Sequence, residues 1–518
     1  MINPKKTQST IYITGAGPGD PGLITLKAKE ILSIADVVVY DNLVSNEILE
    51  LVINLNPEVK MIYGGRVGYN PAKSLEQNEI NSLLVDLAKE YKVICRLKGG
   101  DPSVFGRLGE EAVYLRKERI NIEIIPGVSS VTAVPSYAGI PLTHRDCSSS
   151  FTVIAAQGEA DDPLRNIKWE NFDARNGTLV LLMGVKKLPG IIDKLLELGR
   201  DPKTPIAIIY LGTTSRQSTF VTRLGKVNND LMEMNIKPPS LIIIGEVVNY
   251  RDILNWYETK PLFAKNVLVT RSKEQSVSFV SKLIQSGVHP VNMPLVSYEF
   301  NQKELYNKNI INNLRNYEWI FFTSQNAVKF FFEILRANYF DSRALAGIKI
   351  AAVGYKTKVE LGKYNINPDF VPKKFSFEDL VKELLELENI KDKQILHPTQ
   401  EESVKEPILK NLKTWNIYRA EFTTSLDPNL VNAFNNGIEV ITLFSSNTAK
   451  HFSQIVSKYN LDMSRSKFAV IGDETAKSVV ELFGRVDIVA NPSTEEGLIY
   501  SMEEYFDKAR SKGIGVRR

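Results

Sequence analysis

Three observations predict an α/β fold for this chain. Short apolar runs alternate with helical patterns along its length, most of those runs end in Gly or another turn signal, and the pattern restarts after a break near residues 256–266. At roughly 100–200 residues per domain, 518 residues predict about three or four folding units. IYIT (11–14) reads as a strand, LITLKAKEILSIA (23–35) as a helix, and DVVVYD (36–41) as a buried strand ending in a carboxylate. VICRLKG (93–99), IEIIPG (122–127), FTVIAA (151–156), TLVLLMG (178–184), IAIIYLG (206–212) and LIIIGEVV (241–248) continue the series. Functional loops are expected at strand C-termini.

The stretch WYETKPLFAKN interrupts the pattern, and VLVTR (267–271) begins a second half. IFFTS (320–324), KIAAVG (349–354), DKQILHP (392–398), EVITLFSS (439–446), FAVIGDE (468–474) and DIVAN (487–491) supply its strands. IFFTSQNAVKFF (320–331) is echoed by TLFSSNTAKHF (442–452), and KIAAVGYKTKVEL (349–361) by KFAVIGDETAKSV (467–479). Two related lobes are expected, each with one copy of both motifs.

Composition narrows the function. Apolar residues at 43% and charged residues at 24% describe an ordinary globular protein. A formal charge of +4 is too small for this length to predict a nucleic-acid or membrane-surface partner, so anion binding must be local. Two cysteines, Cys95 and Cys147, and four scattered histidines predict neither a disulfide framework nor a metal site. MINPKKTQST lacks the apolar region of a signal peptide, and no run approaches about 18 apolar residues. A reducing cytoplasm is the expected compartment.

The loop Gly15-Ala-Gly17-Pro-Gly19-Asp20-Pro21-Gly22 satisfies G-x-G-x-x-G after a strand, and Asp41 ends the next strand, where a dinucleotide fold places a ribose-binding acid. Pro18 and Pro21, however, remove two N–H donors from the loop that would cradle a pyrophosphate. Close backbone approach to a ligand needing few amide donors suits this loop better. A second segment, RLKGGDPSVFGRLGEEA (96–112), places Gly99, Gly100 and Asp101 after a strand, close to Arg96, Lys98 and Arg107, with Pro102 expected to open a helix.

GAGPGDPGLITLKA, VVVYDNLVS, RLKGGDPSVFGR, IIPGVSS, YAGIPLTHRD, LLMGV and LGTTSRQ, in this order over residues 11–258, closely resemble the motifs of the uroporphyrinogen-III C-methyltransferases of the tetrapyrrole methylase superfamily. The resemblance implies a two-lobed methylase over residues 1–258 that holds S-adenosyl-L-methionine between its lobes. Carried over by motif, cofactor contacts fall on Pro18, Gly99, Gly100, Asp101, Val104, Ser129, Ser130, Met183 and Gly212. Asp41 matches the proposed proton acceptor, a sensible type because methylating a pyrrole carbon creates a cation that must lose a proton. Where the family reads G-K-R, with the Lys a proposed proton donor, this chain has Gly64-Gly65-Arg66. Arg66, always cationic, suits gripping a substrate carboxylate instead. Arg107, His144 and Arg145 are further substrate-binding candidates, although a structural role fits His144 equally well. A homodimer through this half is also implied.

VLVTRS (267–272), MPLVSYEF (293–300), FFTSQNAVKFF (321–331), AAVGYKT (351–357), WNIYRAEFT (415–423), LFSSNTAKHF (443–452), AVIGDETAKSV (469–479) and NPSTEEGL (491–498) resemble uroporphyrinogen-III synthase. That family implies two α/β lobes joined by two extended crossings, PLVSYEF and IYRAEFT. Residues 265–518 would divide into lobe one, 265–295 with 425–518, and lobe two, 301–417. The implied reaction closes hydroxymethylbilane without a cofactor, in an interlobe cleft that holds a flexible anionic chain. Its substrate-binding candidates are Thr323, Ser324, Gly354, Thr357, Ser445, Ser446 and Thr475, with Tyr418 assisting loss of the hydroxyl. Taken singly, each hydroxyl also fits a helix cap.

The reading that joins both resemblances is a bifunctional enzyme making uroporphyrinogen III and methylating it at C2 and C7 to precorrin-2. Its partners are these small molecules, with no nucleic acid and no membrane. Two alternatives stand beside it: a methylase whose second half only binds tetrapyrrole or regulates, and a nicotinamide dehydrogenase.

Overall fold

The computed structural model describes residues 9–65, 76–156, 167–233, 236–374, 376–401 and 409–511. Twenty strands run in chain order. The first ten are β1 (Thr10–Gly15), β2 (Val37–Tyr40), β3 (Lys60–Tyr63), β4 (Val93–Lys98), β5 (Asn121–Ile125), β6 (Phe151–Ala155), β7 (Thr178–Leu182), β8 (Pro205–Tyr210), β9 (Ser218–Arg223) and β10 (Ser240–Ile244). The second ten are β11 (Asn266–Val269), β12 (His289–Asn292), β13 (Val296–Phe300), β14 (Trp319–Phe322), β15 (Lys349–Ala352), β16 (Ile395–Gln400), β17 (Leu412–Phe422), β18 (Val440–Leu443), β19 (Lys467–Val470) and β20 (Ile488–Val489).

They form four five-stranded sheets, ordered β3-β2-β4-β1-β5, β6-β7-β10-β8-β9, β12-β11-β18-β19-β20 and β13-β17-β16-β14-β15. The first and third are wholly parallel. Helices cover both faces, so alternate residues of one strand enter different cores: Ile11 and Ile13 pack with Leu84 and Leu115, while Tyr12 joins Ile31 and Leu97. In the second sheet β10 runs antiparallel to both β7 and β8. In the fourth, β13 pairs antiparallel with β17 from Val296↔Phe422 to Phe300↔Tyr418, so the two extended segments of the second half lie side by side.

Three strands escape a search for apolar runs. β3, β9 and β12 are sheet edges with mixed sequences, KMIY, STFVTR and HPVN. Only one side of an edge strand is paired, which is why Pro290 is tolerated in β12. Another expectation needs correction: Pro102 does not open a helix. The helix begins at Leu108, after a turn in which Phe105 and Arg107 both take φ of +56°. Asp101 holds that turn by accepting from the Ser103 amide at 2.7 Å and from its hydroxyl, which competes with helix formation.

Candidate functional site

The loops after β1, β4 and β5 meet at backbone distance. Gly17 and Gly100 exchange amide-to-carbonyl hydrogen bonds of 3.1 and 2.7 Å, both with positive φ, +77° and +70°. A Cβ on Gly127 would come within 2.3 Å of the Gly100 carbonyl oxygen and 2.8 Å of Gly15 Cα, so side chains are excluded there. Asp101 ties the loops together, its Oδ2 accepting from the Gly127 amide at 3.0 Å. Ser129 caps the helix Ser130–Tyr137 through the Val131 amide. On the other side Gly19 packs on Gly212, Thr213 and Thr214, the Asp20 amide donates to Thr213 Oγ1 at 3.2 Å, and Tyr137 Oη donates to Asp20 at 2.7 Å. Gly212 lies against Val134, where a Cβ would meet Cγ1 at 2.4 Å.

Pro18, Gly99, Gly100, Asp101, Ser129, Ser130 and Gly212 are thus gathered where the first two sheets abut. Met183 stands at the same end of its sheet as the Leu211 loop, because Leu182 and Ile209 both oppose Leu241. Met183, Leu211 and Thr213 all have positive φ, a concentration of backbone strain at strand ends. The Met183 and Val104 side chains are partly exposed. Several amides here already donate within the protein, and Pro18 has none. This is a poor phosphate cradle and fits a sulfonium-bearing ligand, a cation with apolar faces that needs acceptors.

Asp41 is the exposed end of a buried charge network. Its Oδ1 accepts from Arg96 Nη2 at 2.5 Å, and its Oδ2 is 4.0 Å from Lys98 Nζ. Lys98 donates to Glu111 Oε1 at 2.7 Å, and Arg96 Nη2 is 3.5 Å from the same oxygen. Glu111 is fully buried, Arg96 and Lys98 almost so, and the Asp41 side chain is 24% exposed. Burial alone would lower the Arg96 pKa, but Asp41 and Glu111 carry it above the ordinary value. Burial and the neighbouring Arg96 charge lower that of Lys98, against the pull of Glu111 and Asp41. Burial, then Asp41, raises Tyr63. Glu111 escaped the sequence reading. The available signal was Arg96 and Lys98, two residues apart on one face of an otherwise apolar strand.

The remaining candidates of this half lie elsewhere. Arg66 is outside the described residues. Arg107 donates through Nε to Glu110 Oε1 at 2.9 Å. His144 Nδ1 is 2.9 Å from Tyr250 Oη and accepts from the Asp146 amide at 3.2 Å, and its ring stacks on Tyr250, so its bonds serve a turn rather than the glycine loops. Arg145 is exposed on that turn.

In the second half Tyr418 Oη is 3.0 Å from Ser324 Oγ, and its ring stacks on Phe330 at 10°. Burial raises the phenol pKa. Ser324 caps the helix Gln325–Ala337, and Ser445 caps Ser446–Tyr459 in the equivalent place, so the repeated motifs are repeated strand–cap–helix units. Gly354 and Gly472 precede the equivalent helices Tyr355–Gly362 and Asp473–Phe483, in which Thr357 and Thr475 are buried; Ser446 Oγ donates to the Glu474 carbonyl. Thr323 Oγ1 is 3.2 Å from Nε2 of His397, a buried imidazole that the sequence reading had not selected. Across the two sheets of this half, Lys356 Nζ lies 3.7 Å from Glu495 Oε1, which also accepts from Arg271 at 2.5 Å. A cavity of about 450 Å³ separates the halves, with Asp20, Glu47 and Glu50 on one wall and Arg271 and Lys273 on the other.

A family model described as tetrapyrrole (corrin/porphyrin) methylases matches residues 10–228, and one described as uroporphyrinogen-III synthase matches residues 277–500. A porphyrin biosynthesis protein of Ruminiclostridium josui is 35% identical over 506 residues, covering 95% of this chain and 97% of that protein. The chain belongs to both families. Its methylase half is also similar to a uroporphyrinogen-III C-methyltransferase of Priestia megaterium, 44% identical over 46% of this chain and 98% of that one. Among solved structures, a Thermus thermophilus uroporphyrin-III C-methyltransferase complexed with S-adenosyl homocysteine is 38% identical, covering 46% of this chain and 99% of that chain with a TM-score of 0.39. The chain is therefore a bifunctional enzyme of tetrapyrrole biosynthesis, with a methylase half and a synthase half. Among the described residues, no helix is long and apolar enough to cross a membrane, and no group of three or more His, Cys, Asp or Glu is placed to hold a metal.

Proposed function

We propose that the synthase half, residues 265–518, cyclises hydroxymethylbilane to uroporphyrinogen III with inversion of ring D. The methylase half, residues 1–258, then methylates this product at C2 and C7 with S-adenosyl-L-methionine, giving precorrin-2 for siroheme or cobalamin synthesis. The observation that carries the reading is the fusion itself: one chain joins a family that makes uroporphyrinogen III to a family that methylates tetrapyrroles.

S-adenosyl-L-methionine supplies an activated methyl group when bound. Pro18, Gly99, Gly100, Asp101, Val104, Ser129, Ser130, Met183 and Gly212 would hold it at the lobe junction, largely through backbone contacts and shape. Asp41 takes the proton that the methylated ring must release. Arg107, Arg145 and Arg66 offer cations to substrate carboxylates. In the synthase half, Thr323, Ser324, Gly354, Thr357, Ser445, Ser446 and Thr475 fold the linear substrate, and Tyr418 assists departure of its hydroxyl.

The test is conversion of hydroxymethylbilane plus S-adenosyl-L-methionine by the intact chain, with products separated by chromatography. Precorrin-2 is expected. Formation of only the non-inverted type I ring would remove the synthase claim, and unmethylated uroporphyrinogen III as the sole product would remove the methylase claim.

A further inference from the structure

Where the two sheets of the synthase half face each other, three cations converge on one carboxylate. Glu495 Oε1 accepts from Arg271 Nη1 at 2.5 Å and lies 3.7 Å from Lys356 Nζ, while its Oε2 is 3.6 Å from Lys282 Nζ. Lys282 also pairs with Glu496. Arg271 follows β11, Lys282 lies on the helix Lys273–Gln285 and Glu495 opens the helix Glu495–Ser511, all on the side of the third sheet. Lys356 comes from the side of the fourth sheet, in the first turn of Tyr355–Gly362 after β15.

The cluster sits among the candidate substrate groups of both sides. Lys356 stands between Gly354 and Thr357 in sequence. Arg271 packs its guanidinium over Phe444, the residue before Ser445, at 4.6 Å. Ser493, just ahead of Glu495, lies against Gly472, where a Cβ would meet its Oγ at 3.1 Å, and Gly472 leads into the turn that carries Thr475.

Two features mark the Lys356 contact as exchangeable. Its side chain is 66% exposed, and an exposed pair of this length contributes little to stability. A cation in a first helical turn also opposes the helix dipole, and that turn carries no acid to offset it. Glu495, by contrast, gains from its own helix N-terminus, and it keeps Arg271, the nearer cation, and Lys282 when Lys356 leaves. Stability accounts for Glu495 but not for Lys356.

We propose that Lys356 binds a carboxylate of the linear substrate, and that Glu495 holds its place until that carboxylate arrives. This rests on the reading of residues 265–518 as the synthase. Both partners of Lys356 are carboxylates, so the exchange replaces one ion pair with another and leaves no charge unpaired. It also ties the anionic chain to the fourth sheet beside groups of the third, as holding a flexible substrate folded for ring closure requires.

The test is the KM of the intact chain for hydroxymethylbilane, without S-adenosyl-L-methionine, from initial rates of uroporphyrinogen III formation. Lys356→Met should raise KM about three- to five-fold, the equivalent of one exposed ion pair, with kcat within about two-fold. Glu495→Gln should lower KM about two-fold or more, because the competing charge is gone while the amide oxygen still accepts from Arg271. In Lys356→Met/Glu495→Gln that gain should vanish, because Glu495 acts through Lys356. A latch that merely held the sheets together would shift KM the same way in both single variants, and a general charge effect would lower KM equally in the Lys356→Met background. Either result, or an unmoved KM in either single variant, overturns the proposal. If Glu495→Gln does not fold, Glu495→Asp, which keeps the charge but draws it back from Lys356, is read by the same criteria. A native chain that forms no uroporphyrinogen III removes the synthase reading and this inference together, whereas native turnover with any of the overturning results removes only the inference.

Discussion

Tyr418 Oη lies 3.0 Å from Ser324 Oγ, joining the return strand of the synthase half to the cap of the helix Gln325–Ala337. The phenol is 4% exposed and its ring is fixed by Phe330, so its one hydroxyl contact is preset rather than adaptable.

Tyr418→Phe should keep the ring packing and lose about 1 kcal/mol of stability with the hydrogen bond. Ring closure should slow at least about 10-fold if the hydroxyl assists the leaving group. Initial rates with hydroxymethylbilane, alongside urea unfolding, check this; a native rate would remove Tyr418 from the chemistry.

His397 predicts an acid-sensitive lobe. Burial holds its pKa down at about 4, against an ordinary 6.5. The unfolded chain therefore binds the proton more readily, so stability is complete above pH 6.5 and is lost as pH falls toward 4, by about 3 kcal/mol in total. Urea midpoints across this range should fall in the native chain and fall less in His397→Gln.

Gly127→Ala should separate the glycine loops. Its Cβ would stand 2.3 Å from the Gly100 carbonyl oxygen, which is backbone and cannot swing away. Overpacking of this kind costs about 1–3 kcal/mol. A lower melting temperature and at least about 10-fold weaker S-adenosyl-L-methionine binding are expected, a factor of ten being about 1.4 kcal/mol. Calorimetry giving native affinity would show that the loop junction does not shape the cofactor cleft.

Gly65→Lys should not improve methylation. The position is closed by Asn42 and Tyr63, so the new side chain displaces the segment that carries Asp41. Lower thermal stability with no gain in methyl transfer is expected; a faster enzyme would mean that an ammonium there had been limiting.

The interior strands were legible because continuous apolar runs such as VVVY and WIFF need no distant partner to be recognised. The repeated TS and SS motifs were legible as well, and the structure makes Ser324 and Ser445 equivalent caps. Edge strands were not, because β3, β9 and β12 are defined by the strand beside them rather than by their own composition. The start of the helix at Leu108 was missed for a related reason: the Asp101 carboxylate, tied to Gly127 from another loop, holds residues 102–107 in a turn.

The same division runs through the site. Sequence by itself determined the α/β class, the two halves, the amide-poor character of the Pro18 loop and the motif residues, since these depend on residue type and local order. Tertiary structure decided that Gly15, Gly100 and Gly127 share one point, that position 65 has no room for a side chain, and that Glu111 lies beneath Lys98 and Asp41. Those are contacts across tens of residues, and they exist only once parallel strands and their covering helices bring distant segments to one end of a sheet.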